Sequence, residues 1–455
     1  MPTHQNRETR QQLVETLTER FRQEVDQSLD ELEQQGVPVT LDRIESVVTQ
    51  VKERLGRELQ QGILDQQPEP PENRAACPAC HARARFRETR ARLLVTRHGE
   101  AQLARRWYHC PQCRRGFAPL DRRLGLDAGT TSTYLRTLIA EWAAERAFAR
   151  CARDVERTLG IQLGESTVER TAVSVGERLR EQEVAQATAY EAGHLPRAAH
   201  HPRVVHVSMD GVYAPLREPW KRDGSRGPLQ CRGGECKVGT VYETRPGARG
   251  QQRLAWREYT ATFGDIAAFR PQLGALAQRC GVHEAETVIF LADGAACNWN
   301  LAADYFPGAI QIVDWYHAVQ HLGTVAEAFF GSRTGPGHSW LAARKRELWE
   351  GDVEAVQEAI ELLPARTPEQ AETQREEGGF FRNNGARMSY AQYRAAGYQI
   401  GSGVMEASCR TVVNQRFDQS GMHWRVETAD ALVALRAARL STTQPDLTRL
   451  CTAVH

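Results

Sequence analysis

The chain has 455 residues, with 58 Lys and Arg against 57 Asp and Glu, 41% hydrophobic residues and 11 cysteines. That length exceeds what one hydrophobic core fills, so two to four domains are expected and a small stapled scaffold is excluded. With no run of eighteen apolar residues and no apolar leader in "MPTHQNRETRQQLVETLTERF", the sequence reads as a soluble intracellular protein without a membrane partner.

Residues 1–73 carry 8 Lys and Arg against 15 Asp and Glu. Within them, 10–34 and 40–64 space apolar residues at helical intervals, and Thr40 with Asp42 marks the second start, so a helical hairpin is expected. The prolines of "DQQPEPPENR" then end the helical pattern. Residues 74–123 reverse the charge, with 13 Arg against Glu88, Glu100 and Asp121. So dense a block suggests a polyanion partner, the alternative being a solvated basic face.

That block holds Cys77 and Cys80 in one CxxC pair and Cys110 and Cys113 in another. In a reducing compartment such pairs bind metal more often than they form disulfides. Two knuckles presenting two thiolates each complete a closed tetrahedral zinc site. Between them "RARFRE", "RLLVTR" and "RRWYHC" alternate as strands of a zinc ribbon. A redox role would call for one CxxC beside a βαβ unit. His81 and His109 adjoin ligand cysteines but find the shell full, which leaves them as bystanders or phosphate contacts.

Residues 131–186 return to helical spacing. "FARCARDVERTLGIQLGESTVERTAVSVGERL" holds a helix, a break at Gly160, an N-cap candidate at Ser166 and a longer second helix. This is either a helix-turn-helix whose helix from about Thr167 enters a major groove, or an ordinary hairpin joining domains. The neighbouring ribbon favours DNA.

After "GHLPRAAHHPR" strands take over. "VVHVSM" ends on Asp210, "CKVGTVYE" and "REYTATF" follow, a helix fits 265–280, "TVIFLA" ends on Asp293, a helix fits 295–305, and "AIQIV" ends on Asp314. The order predicts a mixed sheet flanked by helices. Residues 315–397 show no clear strand, and "YQIGSGVMEASCRTVVNQRF" opens on a glycine turn and continues as a helix carrying Glu406.

Carboxylates at separate strand ends, with another on a later helix, suit hard divalent cations. Two such ions about 4 Å apart activate a nucleophile and stabilise the leaving oxygen of a phosphodiester. Asp210, Asp293 and Glu406 have the required types and positions, although a single Asp after a strand is more often a cap. His317 could contact DNA or steady a carboxylate, and a satisfied core histidine is the alternative. Cys231 and Cys236 of "CRGGEC" lack a partner pair and read as free thiols in a hairpin loop. Arg410, Asn414 and Arg416 follow Glu406 on one helix within reach of phosphates. Trp424 is either a stacking platform or a core residue. Gly401 and Gly403 provide close backbone approach or a tight turn.

The stretches "YHCPQCRRGFAPLD", "SMDGVYAP", "FLADGA", "VDWYHAVQHL" and "RNNGARMSYAQYRAAGYQIGSGVMEASCRTVVNQRFDQSGMHW" resemble the DDE transposases of bacterial insertion sequences. The similarity is greatest to the Kra-type group, related to Mutator-like transposases. It spans about residues 76 to 440 and is less specific before that. It implies a multi-domain α+β protein in which a ribonuclease-H-like mixed sheet, split by a helical insertion, follows a zinc ribbon and a helical DNA-binding region.

The implied divisions are an N-terminal helical region (1–73), a Cys₄ zinc ribbon (74–125), a helix-turn-helix-like segment (126–200), the first part of the catalytic core (201–330), the insertion (331–397) and the second part of the core (398–455). The family's two aspartates and glutamate match Asp210, Asp293 and Glu406, and its aspartate-x-x-histidine signature matches Asp314 and His317. In such a sheet the fourth strand lies beside the first, which makes Asp293 the metal ligand and Asp314 the neighbour that orients His317 or the active-site helix.

The implied function is DNA transposition with two Mg²⁺ or Mn²⁺ ions. Water cuts at the element end, and the freed 3′ hydroxyl attacks target DNA. Terminal inverted repeats would be bound through the ribbon, with Arg83, Arg85, Arg105, Arg106, Arg114 and Arg115 as contacts beside Arg410 and Arg416. A bacterial cytoplasmic, nucleoid-associated homodimer or higher oligomer is expected, with the N-terminal helices as contacts. Two other classes remain open: a metal-dependent nuclease or resolvase that cuts without joining, and a non-catalytic domesticated DNA-binding regulator.

Overall fold

The computed structural model describes residues 4–33, 38–69, 72–126, 129–198, 201–217, 231–246 and 252–452. The chain divides into two compact units, Met1–Ala172 with Asp446–His455, and Val173–Pro445. Among the described residues no helix is long and apolar enough to cross a membrane.

In the first unit, α1 (His4–Leu32) and α2 (Leu41–Asp65) form the expected hairpin. Thr40 starts α2 by accepting a hydrogen bond from the Arg43 amide at 3.3 Å. Next, β1 (Arg74–Ala76), β2 (Arg83–Thr96), β3 (Gly99–His109) and β4 (Gly116–Phe117) make one antiparallel sheet in that order. The stretches expected as two strands, "RARFRE" and "RLLVTR", are one long strand, β2, with an irregularity between Phe86 and Glu88. Its central residues are exposed, so a polar run does not interrupt the pairing.

Helices α3 (Pro119–Arg123), α4 (Thr133–Glu145), α5 (Phe148–Leu159) and α6 (Glu165–Glu191) follow. Gly160 closes α5 at φ 65°, a left-handed position that favours glycine. Ser166 is not the cap of α6: it lies inside the first turn. The Gly164 carbonyl accepts the Thr167 and Val168 amides at 2.9 and 3.2 Å, so helical bonding begins earlier than the serine suggests. The division between the units falls within α6.

The second unit is built on β5 (Val204–Arg217), β6 (Cys231–Pro246), β7 (Gln252–Thr262), α7 (Ile266–Arg279), β8 (Thr287–Ala292), α8 (Ala296–Tyr305) and β9 (Ile310–Val313). The sheet order is β7-β6-β5-β8-β9, with β5 to β7 antiparallel and β5, β8 and β9 parallel. The first two strands outrun their expected ends because residues 210–217 stay paired with 231–238. Cys236 is therefore a buried strand residue rather than a loop thiol, and the Cys231 side chain lies outside the described residues.

Helix α7 covers the face on which a Cβ at Gly239 would stand 2.8 Å from Leu273. This face and the helices on it bury Val205, Val207, Phe269, Leu273 and Phe290. Burial of apolar area on this scale is the main stabilising term. The segment after β9 is entirely helical: α9 (Trp315–Phe330), α10 (Gly335–Glu350), α11 (Val353–Glu361), α12 (Pro368–Asn384) and α13 (Tyr390–Ala395). It returns to the sheet through α14 (Gly403–Cys409), a wide helical turn at Arg410–Asn414, and α15 (Gln415–Phe417).

Helix α16 (Val426–Leu440) and the residues after it cover the outer edge of β7. Ser441 Oγ accepts the Tyr259 amide at 2.9 Å, and Thr442 and Arg257 exchange bonds at 2.9 and 3.0 Å. An edge so paired offers no template for another strand. Finally α17 (Leu447–Cys451) packs on α4 in the first unit.

Helix α16 also touches α6 backbone to backbone, since a Cβ at Gly176 would overlap the Ala431 carbonyl. Arg180 on α6 clasps the Asp430 carboxylate at 2.9 Å and donates to the Ala261 carbonyl. Because rigid backbone lies opposite the glycine, Gly176→Val is expected to destabilise the protein by about 1–3 kcal/mol, read as a lower urea midpoint without loss of cooperativity.

Candidate functional site

Two constellations carry chemistry. In the first unit, Cys77 and Cys80 sit on the turn from β1 to β2, and Cys110 and Cys113 on the turn from β3 to β4. The two turns repeat one geometry: the Cys77 amide bonds to the Ala82 carbonyl and the Cys110 amide to the Arg115 carbonyl, each at 2.9 Å. The residues after each second cysteine, His81 and Arg114, adopt positive φ of 59° and 57°. The four sulfurs lie within 4.8 Å of one another, with Cys77 to Cys113 at 3.6 Å and Cys80 to Cys110 at 3.5 Å.

A sulfur tetrahedron around zinc at 2.3 Å has edges of about 3.8 Å, so the cluster can hold that ion with little movement. Burial acts to raise the Cys77 thiol, but backbone amides of Ala79 and Cys80 outweigh it and bring it to about 7. The Cys113 amide likewise lowers Cys110. Amides aimed at sulfur favour the thiolate that a metal needs.

In the second unit, the parallel registers pair Ser208 with Leu291 and Leu291 with Ile312. Two residues further along, Asp210 still lies on β5 while Asp293 and Asp314 stand one residue past the ends of β8 and β9, close enough for their charges to act on Asp210. On β7, the Tyr259 hydroxyl lies 3.4 Å from Ser408 of α14. Helix α14, with Glu406 exposed in its first turn, packs against β5. Cys409 of the same helix is buried, its thiol pushed well up by burial and then by the charges of Asp210 and Glu406.

The three aspartates differ in their partners. Asp210 is half-buried and accepts the Gly211 amide at 2.7 Å; burial, then the charges of Asp293 and Asp314, raise its carboxyl despite that bond. Asp293 Oδ1 accepts the Ala295 amide at 2.9 Å and the Asn298 side chain at 2.8 Å, and Oδ2 has no hydrogen-bond partner among the described residues. Asp314 is buried and saturated. Its Oδ1 accepts the Ser402 amide at 2.6 Å and the Tyr316 amide at 3.3 Å; its Oδ2 accepts Ser402 Oγ at 2.8 Å, the His317 amide at 3.2 Å and His317 Nδ1 at 2.6 Å.

Burial alone would raise Asp314, but the bonds from His317 and Ser402 hold it below the ordinary range. The Asp314 bond raises His317 against burial, and the charges of Asp314, Asp293 and Asp210 add to it. The carboxylates are spaced more widely than the cysteines, which are the only group of three or more ligand residues within 4.8 Å among the described residues.

Several participants were not expected. Ser402, between Gly401 and Gly403, ties the turn before α14 to Asp314. Asn298 and Trp299 brace Asp293 from α8, and Trp299 donates to Asn384 of α12 at 2.8 Å. Phe380 of α12 lies against Gly294, whose φ is 105°. His206, two same-face positions before Asp210 on β5, is buried, stacked on Tyr242 at 4.9 Å and lowered to about 4 by burial, hence neutral. The "GSG" motif was a usable signal for Ser402; Asn384 had none.

The expected arginine contacts divide. Arg83, Arg85, Arg114, Arg115 and Arg410 are exposed. Arg105 is buried and bonds Asp121 at 2.9 Å, so its charge is spent inside the ribbon. Arg106 is half-buried, 3.9 Å over the Phe86 ring and bonded to Asn73. Arg416 is 0% exposed and lies over Trp424, where no phosphate reaches it. Trp424 is a core residue whose indole donates to the Phe417 carbonyl at 3.0 Å.

No protein-family model and no curated protein matches the sequence. Among solved structures, the Drosophila P element transposase strand transfer complex is similar to 72% of this chain and 96% of that one, at 7% identity and a TM-score of 0.34. A likeness that loose carries no argument about function.

Replacing Cys77 by Ser is expected to lower bound zinc from one ion per chain to none, read by metal analysis of the purified protein; unchanged stoichiometry would count against the Cys₄ site. The Asp314–His317 pair makes a signed pH prediction for the metal-free protein. Since His317 is raised and Asp314 lowered, the pair's stabilisation is complete between roughly pH 4 and 6.5. It is lost as pH rises through the folded His317 value or falls through that of Asp314. Asp314→Asn should return the His317 titration to about pH 6.5 or below, read by NMR, and cost about 1–3 kcal/mol of stability.

Proposed function

We propose that this chain is a DNA transposase, with the second unit as a ribonuclease-H-like catalytic core and the ribbon as part of its DNA-binding surface. The observation that carries the reading is the closeness of Asp210 on β5 to Asp293 at the end of the neighbouring parallel strand β8, with the helix of Glu406 packed on β5. Three antiparallel strands, two parallel ones and a helical segment before the glutamate helix form the order expected of such a core split by an insertion.

The donor set fits hard divalent cations: it offers carboxylate oxygens, and Asp210 carries negative neighbours whose repulsion a cation offsets. Asp210, Asp293 and Glu406 would hold two Mg²⁺ or Mn²⁺ ions, which supply an activated nucleophile and charge neutralisation at the leaving oxygen. The protein's own share is positioning. Asn298 and the Ala295 amide fix one oxygen of Asp293. Asp314 fixes both His317 and the turn that launches Glu406. Protonated His317 lies close enough to lower Asp210, moderating the repulsion within the site. The exposed arginines Arg83, Arg85, Arg114, Arg115 and Arg410 are the ones available to phosphates.

The test is a strand-transfer assay with labelled DNA from the flanks of the coding sequence, where matched inverted repeats would supply the substrate. With Mg²⁺ the protein is expected to cut the repeat ends and join them to target DNA. Asp293→Ala should reduce both steps by on the order of 10²–10³ while leaving end binding intact. Cutting without joining would replace this reading by a nuclease or resolvase, and binding with neither step by a DNA-binding regulator. Full cleavage by Asp293→Ala beside loss in Asp314→Ala would overturn the ligand assignment.

A further inference from the structure

Helix α9 carries two histidines one turn apart, His317 and His321. Residues spaced by four share one face of a helix, with Cβ atoms about 5–6 Å apart. Both imidazoles are half-buried, with 37% and 34% of their side chains exposed.

Each ring is held in the same way. His317 Nδ1 lies 2.6 Å from Asp314 Oδ2, and His321 Nδ1 lies 2.5 Å from Glu377 Oε2 of α12. A carboxylate only accepts, so in the neutral ring the proton sits on Nδ1 and the lone pair on Nε2. Neither Nε2 has a hydrogen-bond partner among the described residues, and neither is closed off from solvent. His321 is fixed further by Phe380 of α12, whose ring stacks on it at 3.6 Å and 20°. Packing of α12 on α9 accounts for one ring and the cap of α9 for the other. Their coincidence on one helix face, with both free nitrogens open, points to a shared ligand.

We propose that His317 and His321 form a binding site for a divalent transition ion of the imidazole-preferring class, typified by Zn²⁺. Two histidines at this spacing on one helix can chelate such an ion together. A carboxylate behind Nδ1 fixes the ring and raises the basicity of the nitrogen that ligates. Imidazole nitrogen selects Zn²⁺, Ni²⁺ or Cu²⁺ over Mg²⁺, which takes oxygen. The site is therefore distinct in chemistry from the carboxylate oxygens proposed above for Mg²⁺ or Mn²⁺.

Two protein ligands leave the remaining positions to water. That makes the ion exchangeable, unlike one enclosed by four cysteines, so protein freed of loosely held metal still carries a single zinc. Phe380 lies against both His321 and Gly294, the residue after Asp293. The ion would thus stand at the border of the carboxylate site, where its charge takes the place of the His317 proton that Asp293 and Asp210 attract. The inference stands apart from the transposase reading, because metal binding is measured without DNA.

The untagged full chain, its four cysteines already loaded with zinc, is titrated calorimetrically with Zn²⁺ at about pH 8, above the usual imidazole range. One further ion per chain is expected. His321→Gln should lose it, with the cysteine-bound zinc and the circular dichroism unchanged. Glu377→Gln keeps both ligands and nearly the same side-chain shape; it should weaken the further ion by about 10–100-fold, because the ring loses its orienting charge. Absence of a further ion on the wild-type chain would overturn the proposal. So would a further ion that His321→Gln retains, which would belong to other side chains, or an affinity that Glu377→Gln leaves unchanged.

Discussion

One buried carboxylate holds the candidate site together. Asp314 ends β9, begins α9 and receives both the amide and the hydroxyl of Ser402, 88 residues further along the chain. Its amide continues the parallel ladder by donating to the Ala292 carbonyl at 2.8 Å. A charge taken out of water must be compensated, and here five donors do so. Each donor is thereby fixed: the His317 ring, the first turn of α9, and the Gly401–Gly403 turn that sets the start of α14. Asp314 thus has every acceptor position occupied.

Asp293 is held by a different route. Its loop is braced by α8 and, through Trp299, Asn384 and Phe380, by α12 of the long helical segment. That segment therefore does more than separate two parts of the sheet unit, since it sets the loop on which one carboxylate stands. Packed side chains transmit such constraints because protein interiors have little free volume. The inward-facing polar groups below, His206 on Tyr242, stay neutral in the core and leave the charge concentrated at the strand ends.

The ribbon follows a separate logic. Its sulfurs are arranged by local turns, each with one left-handed residue after the second cysteine, so that the site is nearly preformed. Its arginines are not equivalent. Asp121 draws Arg92 and Arg105 inward as counter-charges at 2.9 Å, while those beside the knuckles, Arg83, Arg85, Arg114 and Arg115, stay in solvent. Net charge therefore overstates how many of them stand in solvent.

Local pattern alone determined the element types and their order: the cysteine pairs, the five strands, the helical segment and the glycine turn before Glu406. Those features depend on steric preferences and periodicity within a few residues, which a single sequence carries directly. Only the tertiary structure decided the rest. It joined "RARFRE" to "RLLVTR", moved the start of α6 ahead of Ser166, put Cys236 in a buried strand and buried Arg105 and Arg416. It also supplied the different partners of Asp293 and Asp314, which the resemblance had already told apart by strand order. Their difference lies in partners such as Asn298, Ser402 and Asn384, and the last two reach the strand ends only through packing between segments far apart in the chain.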